Sequence, residues 1–164
     1  MEAKLGKNKI LAFRKLSAAN SKTGAKLAFQ IEHTLSYERS NESTATKDGA
    51  VIIPGGLVTK MDIQALASND PINTMLMESV INGEKLEIWE IDLTAPVGEV
   101  GNEFAALYMR GNLNSWSVPS PTEGPVQITT SASIDGTPQK DTLTFTQDEL
   151  NEIQYAFRDL SPVV

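Results

Sequence analysis

The stretch "LAFQIEHTLSYERSNESTATKDGAVIIPGGLVTKMDIQALA", residues 27–67, carries the pattern on which the fold turns. From Leu27 onward apolar and polar side chains alternate. Leu27, Phe29, Ile31, His33, Leu35 and Tyr37 share one side, and Ala28, Gln30, Glu32, Thr34, Ser36 and Glu38 the other. A period of two marks a half-buried β-strand, because successive side chains leave opposite faces. The pattern resumes after Gly55-Gly56, with Leu57, Met61, Ile63 and Ala65 inward and Lys60, Asp62 and Gln64 outward. Together these segments predict an extended hairpin. Between them, residues 40–54 hold only Val51, Ile52 and Ile53 as sizeable apolar groups. That composition predicts a long polar hairpin loop with no core of its own, mobile in an isolated subunit and ordered by another molecule.

Working outward, "NKILAFRKL" at residues 8–16 suggests a short strand, and "SAANSKTGA" after it is loop chemistry. On the other side Asp70 is a suitable N-cap, Pro71 occupies the first helical position, and Ile72, Met75, Leu76, Ser79 and Val80 repeat at helical spacing up to Gly83. Met75 and Met77 read as core filler. "KLEIWEIDL" is apolar on both faces, as a central strand is, and "EFAALYMRGNLNSWSV" is a further long strand with a bulge expected at Gly111. "PVQITTSASID" alternates again, and "TLTF" leads to Thr146, which forms a capping box with Glu149 for a final helix striped by Leu150, Ile153, Phe157 and Leu160. Runs of strands with one internal and one terminal helix predict a mainly-β sandwich or half-barrel with helices on its flank. No repeat or low-complexity segment divides the 164 residues, which predicts one domain.

Composition narrows the function. The absence of cysteine excludes disulfides, thiolate metal sites and cysteine nucleophiles. The run "ILAF" is too short for a signal-peptide core, and no stretch approaches a membrane span, so neither export nor membrane anchoring is expected. The net charge of −7 is uneven: Lys4, Lys7, Lys9, Arg14, Lys15, Lys22 and Lys26 crowd the first 26 residues against one acid, Glu2. A basic head can bind nucleic acid, but no aromatic residues are interleaved for stacking and the rest of the chain repels phosphate. The alternative is that this arm, residues 1–26, meets the acidic part of its own fold or of an identical neighbour, with Lys4, Lys7 and Lys9 as the candidate inter-subunit contacts.

Chemistry is hard to find. His33, the single histidine, stands on the apolar side of its strand without a serine or metal-ligand set beside it, and reads as a structural histidine in the core or at a subunit contact. Glu90 and Asp92 share a strand face at a spacing glycosidases use, yet a chain with 21 acids makes such pairs by chance. No phosphate-loop or dinucleotide fingerprint is present. The reading is of a protein that is not an enzyme and needs no cofactor or metal. A stand-alone β-sandwich binding module for a carbohydrate or protein ligand is the alternative; it calls for an exposed aromatic platform, whereas Trp89 and Trp116 sit inside strands.

Residues 27–51 also resemble the major tail proteins of lactococcal-type long-tailed bacteriophages. The likeness rests on a Q-x-E-H-T strand (Gln30, Glu32, His33, Thr34) followed by S-T-A-T-K-D-G (residues 43–49). It continues more weakly through "GEKLEIWEIDL", through Phe104, Tyr108, Gly111 and Leu113, and through the T-x-D-E-L start of the last helix. The resemblance implies the phage tail tube type of β-sandwich or half-barrel, with a flanking α-helix and a C-terminal helix. It further implies hexameric rings stacked into a conduit for the genome, located in the virion and assembled in the bacterial cytoplasm. The partners implied are further copies of the chain, the tape measure, the tail terminator and the baseplate or distal tail proteins. A polar, acidic lining suits the passage of DNA without binding it. Candidates for it are Gln30, Glu32, Thr34, Asp62, Gln64, Gln127, Thr129 and Ser131, while Asn41, Ser43, Thr44, Thr46, Lys47, Asp48, Val51, Ile52 and Ile53 are candidates for contacts between rings.

Overall fold

A computed structural model describes residue 3, residues 5–97 and residues 103–146. The strands are β1 (Lys9–Lys15), β2 (Ala25–Lys26), β3 (Gln30–Thr46), β4 (Gly49–Leu66), β5 (Leu86–Val97), β6 (Glu103–Ser117), β7 (Gln127–Ile134) and β8 (Gln139–Thr144), and the one α-helix among the described residues, α1 (Pro71–Asn82), lies between β4 and β5. They form one antiparallel sheet in the order β2-β1-β5-β6-β7-β4-β3, and β8 joins β6 beside β7. The sheet is mainly β as the alternation predicts. The terminal helix expected from Thr146 onward lies outside the described residues, as does Lys4.

The sheet curls until its last strand returns to its first. No backbone ladder joins β3 to β1 or β5 at this seam; side chains do. The Gln30 carboxamide accepts from the Leu11 N–H at 2.9 Å and donates to the Leu11 carbonyl at 3.0 Å, acting as one residue of a missing strand. His33 Nε2 meets Glu90 Oε2 at 2.8 Å further along. Inside the curl lies the main core, where Leu11, Phe13, Met61, Ile63, Leu86 and Ile88 are almost wholly buried and Ile72 and Leu76 of α1 close it. Each such side chain contributes about 1.5–3 kcal/mol. A second cluster, Ile10, Ala12, Ile91, Phe104 and Phe145, covers the opposite face of β1, β5 and β6. This explains why "KLEIWEIDL" is apolar on both sides.

Four local expectations need correction. The basic head is not an arm throughout, because Gly6–Asn8 form a short 3-10 turn and Lys9–Lys15 a strand inside the sheet. Asp70 precedes α1 but its carboxylate makes no cap; Asn73 instead reaches back, its amide donating to the Ser68 carbonyl at 2.9 Å and the Ser68 hydroxyl at 2.8 Å. Met75 packs on the core, whereas Met77 is exposed. Gly111 is regularly paired, opposite Leu86 and Ile134, and the bulge in β6 falls between Leu113 and Ser115.

Candidate functional site

Residues 40–54 are strand, not loop. β3 and β4 remain paired to a two-residue turn at Lys47-Asp48, with Thr44 opposite Val51, Ser43 opposite Ile52 and Glu42 opposite Ile53. The Thr46 hydroxyl donates to the Gly49 carbonyl at 2.6 Å and fastens the turn. The β-branched Thr44, Val51, Ile52 and Ile53 favour the pleated backbone, which explains why a stretch without a core is still extended. Backbone pairing therefore supplies the order that the composition alone does not. β7 covers β4 only from Thr59 to Leu66, so this end of the hairpin projects from the body as two strands. Every residue from 40 to 54 is exposed, and Ile52 is 67% exposed. Asn41, Ser43, Thr44, Thr46, Lys47, Asp48, Val51, Ile52 and Ile53 all belong to it.

The strand register also assembles a broad polar face. Residues directly opposite in antiparallel strands share a face. Glu32 and Thr34 stand opposite Gln64 and Asp62, which in turn stand opposite Thr129 and Ser131 of β7. Gln127 joins them by donating from Nε2 to Gln64 Oε1 at 3.0 Å. Seven of the eight lining candidates thus lie together. Gln30 does not, because Ile31 is bulged out of the ladder between the pairs Gln30–Ala65 and Glu32–Gln64, and the extra residue turns Gln30 toward the interior. The register adds Ser36, Ser133, Ser115 and Ser117, which alternation within a single strand could not assign. Lys60, the one base among these residues, pairs with Glu38 at 3.2 Å, while Glu32 and Asp62 have no ion-pair partner among the described residues. The face is rich in hydroxyls and amides with an acidic excess.

The basic head is answered by its own chain. Lys9 lies 3.5 Å from Glu90, Arg14 2.6 Å from Glu87 and Lys15 2.8 Å from Glu84. Lys9 is therefore occupied within the subunit, contrary to its candidacy as a contact between subunits, because β1 is the neighbour of β5. Lys7 belongs to the short turn before β1. Trp89 lies beneath Arg14, 5.1 Å from its ring centre, and 5.6 Å from the Tyr108 ring, while Trp116 is partly buried against the main core. Neither offers the open platform of a sugar-binding module.

His33 and Glu90 form a largely buried pair at the seam, with Lys9 on the other carboxylate oxygen. The His33 hydrogen bond, against burial and aided by Lys9, holds the Glu90 carboxyl below its ordinary value of 4.5. A lowered folded-state pKa means that the pair stabilises fully above about pH 4.5 and that this contribution is lost as pH falls below it. Glu87 adds to the same acid limb: burial raises its pKa, but the Arg14 and Tyr108 hydrogen bonds outweigh that and leave it lowered. We expect His33→Ala to cost about 2 kcal/mol or more at pH 7, since it leaves the buried Glu90 carboxylate with only the longer contact to Lys9. Glu90→Gln should flatten the decline in melting temperature as pH falls below about 4.5, by the contribution of this one pair. Melting curves from pH 7 down through that decline check both, and an unchanged acid limb in Glu90→Gln would remove Glu90 as its source.

The fold has counterparts in known proteins. The phage tail tube protein family matches residues 3–140. This chain belongs to that family. The SPP1 tail tube protein shares the fold with a TM-score of 0.72 at 19% identity, over 96% of this chain and 92% of that one. The tail of a gene transfer agent particle, determined with C6 symmetry, gives 0.64 at 11% identity over 84% of this chain and 98% of the other. The baseplate of the anti-feeding prophage gives 0.56 at 8% identity over 88% and 97%. No curated protein matches at the sequence level. The tail tube protein is thus a structural component of a phage tail, and its half-barrel is the fold expected from the tube resemblance.

Proposed function

We propose that this tail tube protein closes into six-membered rings, that the rings stack through the β3–β4 hairpin, and that the polar face of β3, β4, β7 and β6 lines the channel through which DNA leaves the capsid. The assignment of that face is supported chiefly by its composition. It gathers hydroxyls, amides and the carboxylates of Glu32 and Asp62, which have no ion-pair partner among the described residues, on one side of the sheet, while the other side is the subunit's own core. A channel for a polyanion works by not holding it. Hydroxyls hydrate the wall, and carboxylates repel phosphates over about 8–10 Å, the Debye length at 0.1–0.15 M salt. The sixfold symmetry of the gene transfer agent tail supports the ring number. The ends of the tube would meet the tape measure, terminator and baseplate proteins, after assembly in the host cytoplasm.

The face can be tested without disturbing the fold, because Glu32 and Asp62 are exposed. Glu32→Lys with Asp62→Lys should leave melting temperature and tube yield nearly unchanged. It should slow DNA release from assembled particles severalfold, with the defect shrinking at high salt, where counterion release drives phosphate binding less strongly. Normal ejection from particles carrying both lysines would place these residues away from the channel.

A further inference from the structure

Phe29 combines two features that the isolated subunit does not reward. Among the described residues it is the one non-glycine position with positive φ, 52°, and its side chain is 64% exposed. A bulky residue in the left-handed region costs roughly 1–2 kcal/mol, and glycine or asparagine would make the same turn more cheaply. The turn itself is needed: the Phe29 carbonyl accepts from the Leu66 N–H at 3.0 Å and so starts the β3–β4 pairing. The aromatic ring is not needed for that bond.

The bulge next door does the same to a second apolar side chain. Ile31, left without a partner in the ladder, is 50% exposed and lines one cleft of about 1330 Å³ with Phe29 and Tyr37. The cleft lies between the unpaired edge of β3, the last strand of the sheet order, and β1, β5, β6 and β8 across the seam. An edge that presents unpaired backbone and large apolar groups invites another chain unless it is covered. Its rim bears both signs, with Lys26 and Lys140 beside Glu32 and Asp141. Mixed signs suit a protein surface better than a polyanion.

We infer that Phe29, seconded by Ile31, is the anchor by which each subunit seats against its neighbour within the ring. The occupant is a second copy of this chain. This rests on the tube reading, in which one chain repeats around an axis and every subunit edge meets an edge of the next. Exposed aromatics that become enclosed on association commonly carry a disproportionate share of the binding energy. The backbone strain at Phe29 is then explained as the cost of aiming that ring outward, retained because assembly offsets it. The position is distinct from the stacking surface: residues 30–37 pair with the part of β4 that belongs to the body, whereas residues 40–54 extend beyond it.

The test compares full-length wild type, Phe29→Ala and Phe29→Asn by sedimentation and negative-stain microscopy over a concentration series, with melting of each as a dilute monomer. Both variants should need at least about tenfold more protein to form rings, as expected for loss of a binding anchor. The Phe29→Asn monomer should melt no lower than wild type, because asparagine accepts the left-handed conformation. Rings of Phe29→Asn at the wild-type concentration would overturn the inference. So would both variants melting several degrees lower as monomers, since Phe29 would then serve its own fold. Wild type that forms no rings at any concentration would instead remove the tube reading, and the inference with it.

Discussion

Replacing residues 41–52 with a short Gly-Ser linker is expected to give a soluble, folded subunit that forms rings but no long tubes. The fold should survive because no residue of this stretch belongs to either core cluster and every one is exposed. What is lost is contact surface on both sides of the hairpin. Val51 and Ile53 share one face with Thr44 and Glu42, and Ile52 lies on the other with Ser43. A two-stranded ribbon with apolar groups on both faces is suited to lie between other chains, where each buried Val or Ile contributes up to about 1.5–3 kcal/mol. In the proposed six-membered ring six such contacts would act together, so their loss should abolish elongation rather than weaken it by degrees. Because the hairpin is already paired, its docking carries a smaller ordering cost than a disordered loop would. Circular dichroism and melting report the fold, and microscopy reports the tubes. Full-length tubes from the shortened chain would contradict the assignment, and outright unfolding would show that the hairpin supports its own subunit.

The largest effect on the subunit itself is expected at Gly111. It lies between two strands, opposite Leu86 on β5 and Ile134 on β7. A β-carbon there would fall 2.2 Å from the Ser133 carbonyl oxygen and 3.0 Å from Ile134 Cδ1. The oxygen is backbone and cannot yield without separating β6 from β7. Gly111→Ala should therefore cost about 3 kcal/mol or more and lower the melting temperature by about 6–12 °C. Gly55→Ala is the informative comparison. Its β-carbon would come 2.3 Å from the Ser40 carbonyl oxygen, an equally close approach, but within the projecting hairpin. It should spare the melting of the body and impair elongation. Gly111→Ala melting within about 2 °C of wild type, the scale of a surface change, would mean that β6 and β7 are not held in this register.

These contrasts show where sequence reasoning carried and where it stopped. The body of the hairpin was legible because a half-buried strand has a period of two, and His33, Leu35, Met61 and Ile63 obey it. The far end was not, because Pro54, Gly55 and Gly56 resemble loop punctuation. They are tolerated in β4 because before Thr59 that strand has β3 on one side only, and strands with an open edge accept proline. The role of Gln30 was hidden by the single extra residue at Ile31, which shifts the phase of everything before it. Alternation also assigned Phe29, Ile31 and Tyr37 to an inner side, although all three are exposed. Their exposure follows from the curl of the sheet, which brings His33 to Glu90 but leaves an open cleft along the β3 edge. The polar face was only partly visible, since which strands lie side by side is a matter of topology: β4 ends at Leu66 and its neighbour β7 begins only at Gln127.

The central claim is that the Glu32–Asp62–Ser131 face looks into a channel and the hairpin bridges rings. A cryo-electron microscopy reconstruction of tubes grown from the purified full-length protein tests it most directly. The expected map has sixfold rings, Asp62 and Ser131 on the inner wall, and residues 40–54 reaching into the adjoining ring. A map with that polar face on the outer surface, or with the hairpin ending inside its own ring, would contradict the account.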